Sequence, residues 1–366
     1  MPEPLSVGIV GCGKISGAYL STLTKVPSVR VVAAADREPA RSARVSADHP
    51  GIRDRTVSEL LADDDVDLVL NLTIPAAHGE IAQAALGAGK HVYGEKPLAA
   101  RGSEADAMVA LAAAAGLRIG CAPDTVLGTG TQTARAAVDA GAIGIPIAAT
   151  AVMANAGPES WHPDPEFYFQ PGGGPLLDMG PYYLSALVHL LGPVVRVSGA
   201  AAHHRMQRVI GSGPRAGTIF DVEIDTHVTG VLEHEAGALS TLVMSFDTYA
   251  TRLPRIEVHG TEGSLSVPDP NRFDGEVELW RPAEREWRLL PPSAGYVGAG
   301  RGCGVADLAT ALSAGEPHRA SVELARHVLD VMESLLHAAA SGTNVTVRTR
   351  CDRPAPVPAT PMIAAT

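Results

Sequence analysis

Short apolar runs alternate with amphipathic stretches along the first 123 residues. Leu5–Val10 is an apolar run that predicts a buried strand, and glycines break it before a helical stretch that reaches about residue 23. The alternation continues to Cys121, with further strands predicted at 30–35, 66–70, 91–93 and 117–121 and helices at 38–48, 57–62, 77–88 and 103–115. This pattern predicts an α/β domain over residues 1–123, built on a doubly wound parallel sheet.

The pattern changes at Asp124, after which β-rich pieces follow one another between glycine- and proline-rich loops. A helix is predicted at 131–140, and strands at 145–153, 194–201, 218–232, 239–246, 255–259 and 277–280. Successive strands favour an antiparallel sheet, so residues 124–350 are predicted to form an α+β domain that ends in helices at 305–314 and 322–340. Residues 351–366, with four prolines after Arg353, are expected to be a loose tail.

The turn after the first strand has the features that a dinucleotide pyrophosphate requires. Gly11 permits a sharp turn, Gly13 leaves room for phosphates beside the backbone, and the N–H groups of the following helix face the anion. Asp36 ends the second strand twenty residues after Ser16, where an acid binds the adenosine ribose hydroxyls. The combination predicts dinucleotide binding, with a glycine turn of some other α/β protein as the alternative. The predicted pyrophosphate turn comprises Gly11, Gly13, Lys14, Ile15 and Ser16.

Asp36 also affects the choice between NAD and NADP. Asp36 would repel a 2′-phosphate, which favours NAD, whereas Arg37 beside it can pair with that phosphate and keeps NADP open. Ligands of such sheets lie beyond the carboxyl ends of the strands, where loops 71–78 and 95–97 follow two further strands. His78 has a helix-capping role as an equal alternative. The cofactor contacts predicted from these loops are Thr73, Pro75, His78, Glu95 and Lys96.

Three polar residues are candidates for the chemistry. The Lys96 ammonium can stabilise charge on a substrate oxygen as a carbonyl becomes an alkoxide, although a surface lysine in a polar turn fits its position equally. Asp178 and Tyr182 follow the triple glycine 172–174 and lie four residues apart, so on a helix they share one face. They can bind and deprotonate a sugar-like hydroxyl. The alternative is a flexible turn before a core helix, with Asp178 as its N-cap.

Composition limits the classes of partner. The net charge of −11 is spread without long runs, which argues against nucleic acids and anionic membranes as partners. The sequence contains neither an apolar run of the ~20 residues that span a bilayer nor the pattern of a signal peptide, so we expect a cytoplasmic protein. Four scattered cysteines and the isolated His203-His204 pair predict no metal site.

Aromatic residues make up only 4% of the chain, so a local cluster of them stands out. Trp161, His162 and residues 167–169 lie just before the triple glycine. Aromatic faces pack on sugar C–H surfaces, which suggests substrate contacts, and a loop hydrophobic core is the equal alternative. Asp124, which follows the end of the last predicted parallel strand, is also a candidate substrate contact, and hydrogen bonding between the domains is the equal alternative.

Four of these motifs together resemble the Gfo/Idh/MocA oxidoreductases over nearly the whole chain. They are residues 8–16, Asp36, Glu95-Lys96-Pro97 and the glycine-rich stretch that ends in Asp178-Met179-Gly180. The resemblance implies a Rossmann domain followed by an α+β domain with a large, mostly antiparallel open sheet, and pairing of such sheets into homodimers or homotetramers. It also implies that Lys96 is catalytic and that Asp178 belongs to the substrate site.

The family normally has a histidine acid/base four residues after that aspartate, and this chain has Tyr182. A tyrosine has an unperturbed pKa near ~10, against ~6.5 for histidine, so it is a poor base but a natural proton donor to a developing alkoxide. This favours carbonyl reduction, and some ketoreductases of the family have the same replacement. The alternatives are that Tyr182 only binds substrate, or that the usual dehydrogenase chemistry has been lost.

The resulting hypothesis is an NAD(P)-dependent oxidoreductase that transfers hydride between nicotinamide and a secondary alcohol or ketone of a sugar, cyclitol or related polyol. Two alternatives remain open at this point, namely an NAD-recycling sugar lyase or glycoside-cleaving enzyme and a non-enzymatic nucleotide-binding module. The predicted catalytic residues are Lys96, Asp178 and Tyr182, and the predicted substrate contacts are Asp124, Trp161, His162, Asp178 and Tyr182.

Overall fold

A computed structural model describes residues 3–362, and the chain divides into two units. The first unit gathers the chain up to Thr129, Ala294–Arg326 and the segment from Pro354 onward, and the second contains Gly130–Ser293 and His327–Arg353. The predicted boundary between residues 123 and 124 placed the whole C-terminal region in the second domain. The chain instead returns to the first unit, where the N–H of Cys121 in the last parallel strand donates to the carbonyl of Ala320 at 3.0 Å.

The first unit contains a six-stranded parallel sheet. Its strands, in chain order, are β1 (Leu5–Val10), β2 (Val29–Ala35), β3 (Arg53–Arg55), β4 (Leu68–Asn71), β5 (His91–Gly94) and β6 (Ile119–Cys121). Their spatial order is β3-β2-β1-β4-β5-β6, the order of doubly wound dinucleotide-binding sheets, in which the winding reverses between β1 and β4. The Rossmann prediction is confirmed. The polar strand β3 was not predicted, because three charged residues show no apolar pattern.

Nine α-helices lie within residues 3–362. They are α1 (Ser16–Leu23), α2 (Pro39–Asp48), α3 (Val57–Ala62), α4 (Pro75–Gly87), α5 (Gly102–Ala115), α6 (Thr129–Asp139), α7 (Pro175–Leu191), α8 (Cys303–Ala314) and α9 (Val322–Ser341). Among them, none has the length and apolar character that crossing a membrane requires.

The second unit contains a nine-stranded sheet. The remaining strands of the chain are β7 (Pro146–Ala154), β8 (Val194–Ala202), β9 (Gln207–Val209), β10 (Ile219–Asp221), β11 (His227–His234), β12 (Leu239–Ser245), β13 (Ile256–Gly260), β14 (Ser264–Val267), β15 (Val277–Trp280), β16 (Trp287–Leu290), β17 (Tyr296–Val297), β18 (Val345–Thr346) and β19 (Thr360–Pro361). The sheet order is β16-β15-β14-β13-β7-β12-β11-β8-β18. Its pairs are antiparallel except β7 with β12, which is parallel, so the prediction of a large, mostly antiparallel sheet is confirmed.

The predicted strand 218–232 is in fact two strands that belong to different sheets. β10 pairs with β9 in a separate hairpin, whereas β11 lies between β12 and β8. The polar turn between β10 and β11, which includes Glu223 and Asp225, separates the two strands. The overall apolar character of residues 218–232 hides this break.

The nine-stranded sheet is covered on one face by α7, which packs on β7, β11 and β12. Leu335 of α9 reaches the same face, where Gly199 and Gly230 leave room for its side chain. On the opposite face Val231 and Leu239 are 39% and 50% exposed. The cross-strand row of Val231 continues through Thr241 and Thr150 to Glu257, and Leu239 pairs with Glu233.

The described part of the predicted loose tail, residues 351–362, is packed and hydrogen-bonded. Val357 is buried, and Thr360–Pro361 forms a parallel pair with Tyr296–Val297. Arg353 donates to the carbonyls of His189 and Leu190 at the end of α7. Prolines cannot donate but their carbonyls accept, so a proline-rich segment can still be held. Residues 363–366 lie outside the described residues.

Candidate active site

The turn after β1 is held against the loop that follows β4. Gly11 has a φ of +100°, and a Cβ there would lie 2.6 Å from the carbonyl carbon of Leu72 and 2.8 Å from the backbone nitrogen of Thr73. Only glycine therefore allows this close approach. By contrast, a Cβ on Gly13 would meet no heavy atom of residues 3–362 within 4 Å. The backbone at Gly13 is open to a ligand group.

The residues around this turn fit a dinucleotide. Ser16 closes the turn, because its hydroxyl donates to the carbonyl of Gly13 at 2.7 Å, and it begins α1, whose positive dipole end attracts phosphate. The Asp36 carboxylate at the end of β2 accepts hydrogen bonds from the backbone N–H groups of Cys12 at 2.7 Å and Glu38 at 2.8 Å. The acid is thereby fixed beside the turn, and the exposed Arg37 follows it.

The Glu95-Lys96-Pro97 turn follows β5, and its Lys96–Pro97 peptide bond is cis. The Glu95 carboxylate accepts the hydroxyl of Tyr19 at 2.8 Å and the backbone N–H of Lys96 at 3.0 Å. Burial, followed by the Glu95 charge, raises the pKa of Tyr19 well above its ordinary value, so this phenol stays a donor. These contacts tie the backbone of Lys96 to α1.

His78 joins two loops at this edge of the sheet. Its Nδ1 lies 2.7 Å from the carbonyl oxygen of Pro97, its Nε2 lies 3.1 Å from that of Thr73, and the residue is only 2% exposed. Burial lowers the pKa of the imidazole below its ordinary value, so the ring is neutral at pH 7. A neutral imidazole has one N–H, so it donates a hydrogen bond to only one of these two carbonyls. Because both ring nitrogens face the protein backbone, the structure gives His78 a link within the protein in place of the predicted cofactor contact.

Asn71, at the end of β4, was not among the predicted residues. Its amide nitrogen donates to the carbonyl of His78 at 3.0 Å, and its amide oxygen accepts the hydroxyl of Thr73 at 2.6 Å. A polar residue at the end of an apolar strand was the available signal. Its partners follow it in the chain, Thr73 in the loop after β4 and His78 in the first turn of α4.

Two of the three glycines before α7 are required by the packing and backbone conformation of this loop. A Cβ on Gly173 would lie 2.5 Å from the carbonyl oxygen of Phe167, and Gly174, which has a φ of +99°, is the N-cap of α7. Its N–H donates to the carbonyl of Tyr168 at 2.7 Å. The glycines therefore let the aromatic loop pack on the start of α7, and Asp178 is not the N-cap.

Asp178 and Tyr182 both lie on α7, one helical turn apart. Asp178 is half-buried in the first turn, where the helix dipole stabilises its negative charge, and Tyr182 is 5% exposed. Spacing by four residues places the two side chains on one helix face, as the sequence predicted.

An aromatic cluster lies beside the start of α7. The ring of His162 is edge-to-face with those of Trp161, at 5.5 Å between centroids, and Tyr168, at 5.6 Å. Trp161 and Phe167 remain 58% and 54% exposed, so the cluster presents aromatic surface outward instead of forming a closed core.

Asp124 is a helix cap and not an exposed ligand. It is 0% exposed, and its Oδ2 accepts the backbone N–H groups of Gly302 at 2.7 Å and Gly304 at 3.1 Å, at the start of α8. Burial raises the pKa of this carboxyl. The predicted substrate contact at Asp124 is therefore corrected to a structural role.

The described residues give no support for a metal site. Within the part of the chain that the structure describes, no group of three or more His, Cys, Asp or Glu residues could hold a metal ion. His203 instead contacts Asp225, with 3.1 Å between Nδ1 and Oδ1.

Two family models match successive parts of the chain. Residues 5–122 match an oxidoreductase family with an NAD-binding Rossmann fold, and residues 131–266 match the GFO/IDH/MocA C-terminal domain. The dTDP-3,4-didehydro-2,6-dideoxy-alpha-D-glucose 3-reductase of Streptomyces antibioticus is 32% identical over 288 residues, which cover 74% of this chain and 84% of the relative. The chain belongs to the Gfo/Idh/MocA oxidoreductase family.

Two further comparisons are consistent with membership in the Gfo/Idh/MocA family. The 1,5-anhydro-D-fructose reductase of Ensifer adhaerens is 29% identical over 265 residues, covering 70% of this chain and 74% of the relative. The crystal structure of an NAD binding oxidoreductase from Klebsiella pneumoniae matches with a TM-score of 0.82 at 24% identity, covering 94% of this chain and 99% of that one. Membership confirms that the chain is an oxidoreductase with an NAD-binding Rossmann domain.

Proposed function

We propose that this Gfo/Idh/MocA enzyme is an NAD(P)H-dependent reductase of a keto group on a sugar or a related polyol. The observation that carries the proposal is Tyr182, one turn after Asp178 on α7, where the family resemblance leads us to expect a histidine. A phenol at its ordinary pKa is protonated at neutral pH, so it suits donation to an alkoxide better than removal of an alcohol proton. The names of both relatives above describe reductases of sugar derivatives.

The mechanism assigns each residue one role. When bound, a nicotinamide cofactor would supply the hydride. The turn from Gly11 to Ser16 holds the pyrophosphate, and Asp36 accepts the ribose hydroxyls, which favours NAD over NADP. The Lys96 ammonium donates a hydrogen bond to the substrate carbonyl oxygen and stabilises the charge that develops there.

Tyr182 gives its hydroxyl proton to that oxygen, and Asp178 accepts a hydrogen bond from a neighbouring substrate hydroxyl and so orients the ring. Trp161 and His162 pack against the apolar C–H face of the sugar. The exposure of the aromatic cluster beside the start of α7 supports this last role.

Assembly and location are part of the proposal. We infer a homodimer or homotetramer, because the open face of the nine-stranded sheet carries the exposed apolar side chains of Val231 and Leu239. Light scattering of Val231→Glu should then show a smaller assembly than the wild type, and an unchanged mass would exclude this face. Cys12, Cys121 and Cys303 are buried free thiols, which supports a reducing, cytoplasmic location.

The test of the proposed function compares wild type with Tyr182→Phe on a panel of keto-sugars and polyols with NAD(H) and NADP(H). The variant keeps the ring and loses the proton, so we expect an unchanged cofactor Kd and a fall in kcat of about 100-fold or more. Tyr183→Phe is the matched control, since it removes a hydroxyl from the next, fully buried position of the same helix. Full turnover by Tyr182→Phe would remove Tyr182 from the proton transfer.

A further inference from the structure

We propose that His78 is a positioning residue, which holds the turn that carries Lys96 at a fixed distance from the cofactor loop after β4. The inference rests on the proposed role of Lys96 in the reaction. His78 acts on that lysine through the backbone of the next residue, Pro97.

The strand pairing shows why a link is needed at this place. β4 and β5 are neighbouring parallel strands, and the N–H of Glu95 donates to the carbonyl of Asn71 at 3.0 Å where their ladder ends. Beyond that bond the chain leads into Thr73 on one side and into Lys96 on the other. The imidazole of His78 lies between these two segments, with 2.7 Å to the Pro97 carbonyl oxygen and 3.1 Å to that of Thr73, and it donates its one N–H to Pro97.

The histidine is itself held in place. It lies in the first turn of α4, and the Asn71 amide nitrogen donates to its carbonyl at 3.0 Å. The same amide group accepts the Thr73 hydroxyl at 2.6 Å, so the loop on the far side of the ring is fixed as well. His78 is therefore anchored to the loop after β4 through its backbone, and its ring N–H reaches the Pro97 carbonyl from there.

Lys96 is consequently constrained on both sides along the chain. Glu95 accepts its backbone N–H at 3.0 Å, and His78 contacts the carbonyl of the residue that follows it. A misplacement of about 1 Å in a group that acts on the reacting centre costs about 100-fold in rate. Two backbone restraints around one catalytic side chain are the kind of support that prevents such a shift.

The two contacts of the ring are not equivalent. A neutral imidazole has a single N–H, and the shorter contact, at Pro97, assigns that hydrogen to Nδ1. The amide nitrogen of an asparagine occupies nearly the place of Nδ1, whereas that of a glutamine reaches the place of Nε2. Substitution by these two amides can therefore separate the contact with Pro97 from the contact with Thr73.

The experiment compares His78→Phe, His78→Asn and His78→Gln with wild type. We expect His78→Phe to lower kcat by about 10- to 100-fold, with the Kd of NADH, from fluorescence titration, changed by less than about threefold. His78→Asn should restore most of the lost kcat and His78→Gln should not. Because the hydride step becomes slower than binding, cofactor deuterated at C4 should give a larger isotope effect on kcat/KM in His78→Phe.

His234→Phe is the matched control. His234 is also 2% exposed, and its ring nitrogens contact the carbonyl of Gly192 at 2.7 Å and the hydroxyl of Ser240 at 2.8 Å, within the second unit. Its substitution should lower the melting temperature while kcat and the isotope effect stay at their wild-type values. Unchanged kcat and isotope effect in His78→Phe, or equal effects of the two phenylalanine variants, would overturn the proposal.

Lys96→Ala separates this inference from the function on which it rests. Loss of turnover in Lys96→Ala together with normal turnover in His78→Phe would refute only the positioning role. Normal turnover in Lys96→Ala would refute the proposed role of the lysine. If His78→Phe does not fold, the contrast between His78→Asn and His78→Gln decides, and equal kcat in those two variants would overturn the proposal.

Discussion

The carboxylate of Asp36, at the end of β2, is held in one orientation by the backbone. Each carboxylate oxygen of Asp36 accepts one backbone N–H group, from Cys12 or from Glu38. The charge is therefore fixed beside the glycine turn instead of moving on a free side chain. A ribose 2′-phosphate at this place would meet a negative charge that cannot turn away.

Asp36→Asn removes that charge at nearly the same shape, and because its amide nitrogen cannot accept, one of the two backbone N–H groups also loses its acceptor. We expect the ratio of kcat/KM for NADPH to that for NADH to rise roughly tenfold or more, because the repulsion of a 2′-phosphate is lost. Steady-state kinetics with both cofactors measure this ratio. Asp48→Asn, the same change of charge at the exposed end of α2, should leave it unaltered, and an unaltered ratio in Asp36→Asn would show that Asp36 does not select the cofactor.

At the scale of elements, a local sequence pattern predicts a helix or strand but does not show which distant residues contact it. The apolar runs of β1 and β4 and the glycine turn between β1 and α1 were all predicted from the sequence. The pairing of Asp124 with Gly302 and Gly304 was not, because the start of α8 lies about 180 residues further along the chain. The position of Asp124 after a strand predicted a ligand contact, whereas the structure uses its carboxylate for the unpaired N–H groups of a helix.

Asp124→Ala tests this correction. The variant leaves two N–H groups at a buried helix start without their acceptor, so we expect the free energy of unfolding to fall by about 1–3 kcal/mol. Substrate KM should stay near the wild-type value. Urea unfolding and steady-state kinetics measure the two quantities, and Asp178→Ala should give the opposite pattern. An unchanged stability with a raised KM would return Asp124 to the substrate site.

At the scale of the whole molecule, the predicted fold class and sheet types agree with the structure, and the assignment of the chain to two units does not follow the predicted boundary. The proline-rich C-terminus was predicted to be a loose tail, because the sequence does not show which distant residues it contacts. In the structure, Val357 is buried and Thr360–Pro361 pairs with β17. Buried histidines also contribute to the behaviour of the whole molecule, because their protonation is coupled to unfolding.

Acid should destabilise the protein through His234. Burial lowers its pKa to about 4, below the value near ~6.5 expected in the unfolded chain. Between these two pH values the unfolded chain binds more protons, so stability falls as the pH drops through this window, by about 3 kcal/mol in total. Urea unfolding from about pH 7 to pH 4 measures this loss, which should be smaller in His234→Gln. An equal loss in the variant would exclude His234 as its source.

The central claim is that the enzyme reduces a ketone with net consumption of cofactor, using Lys96 and Tyr182. The most direct measurement is turnover of a keto-sugar with NADH deuterated at C4, followed by NMR of the product. We expect one deuterium on the new carbinol carbon and one cofactor oxidised for each alcohol formed, with both rates greatly reduced in Lys96→Ala and Tyr182→Phe. Product formed without net oxidation of the cofactor, or full turnover in both variants, would contradict the claim.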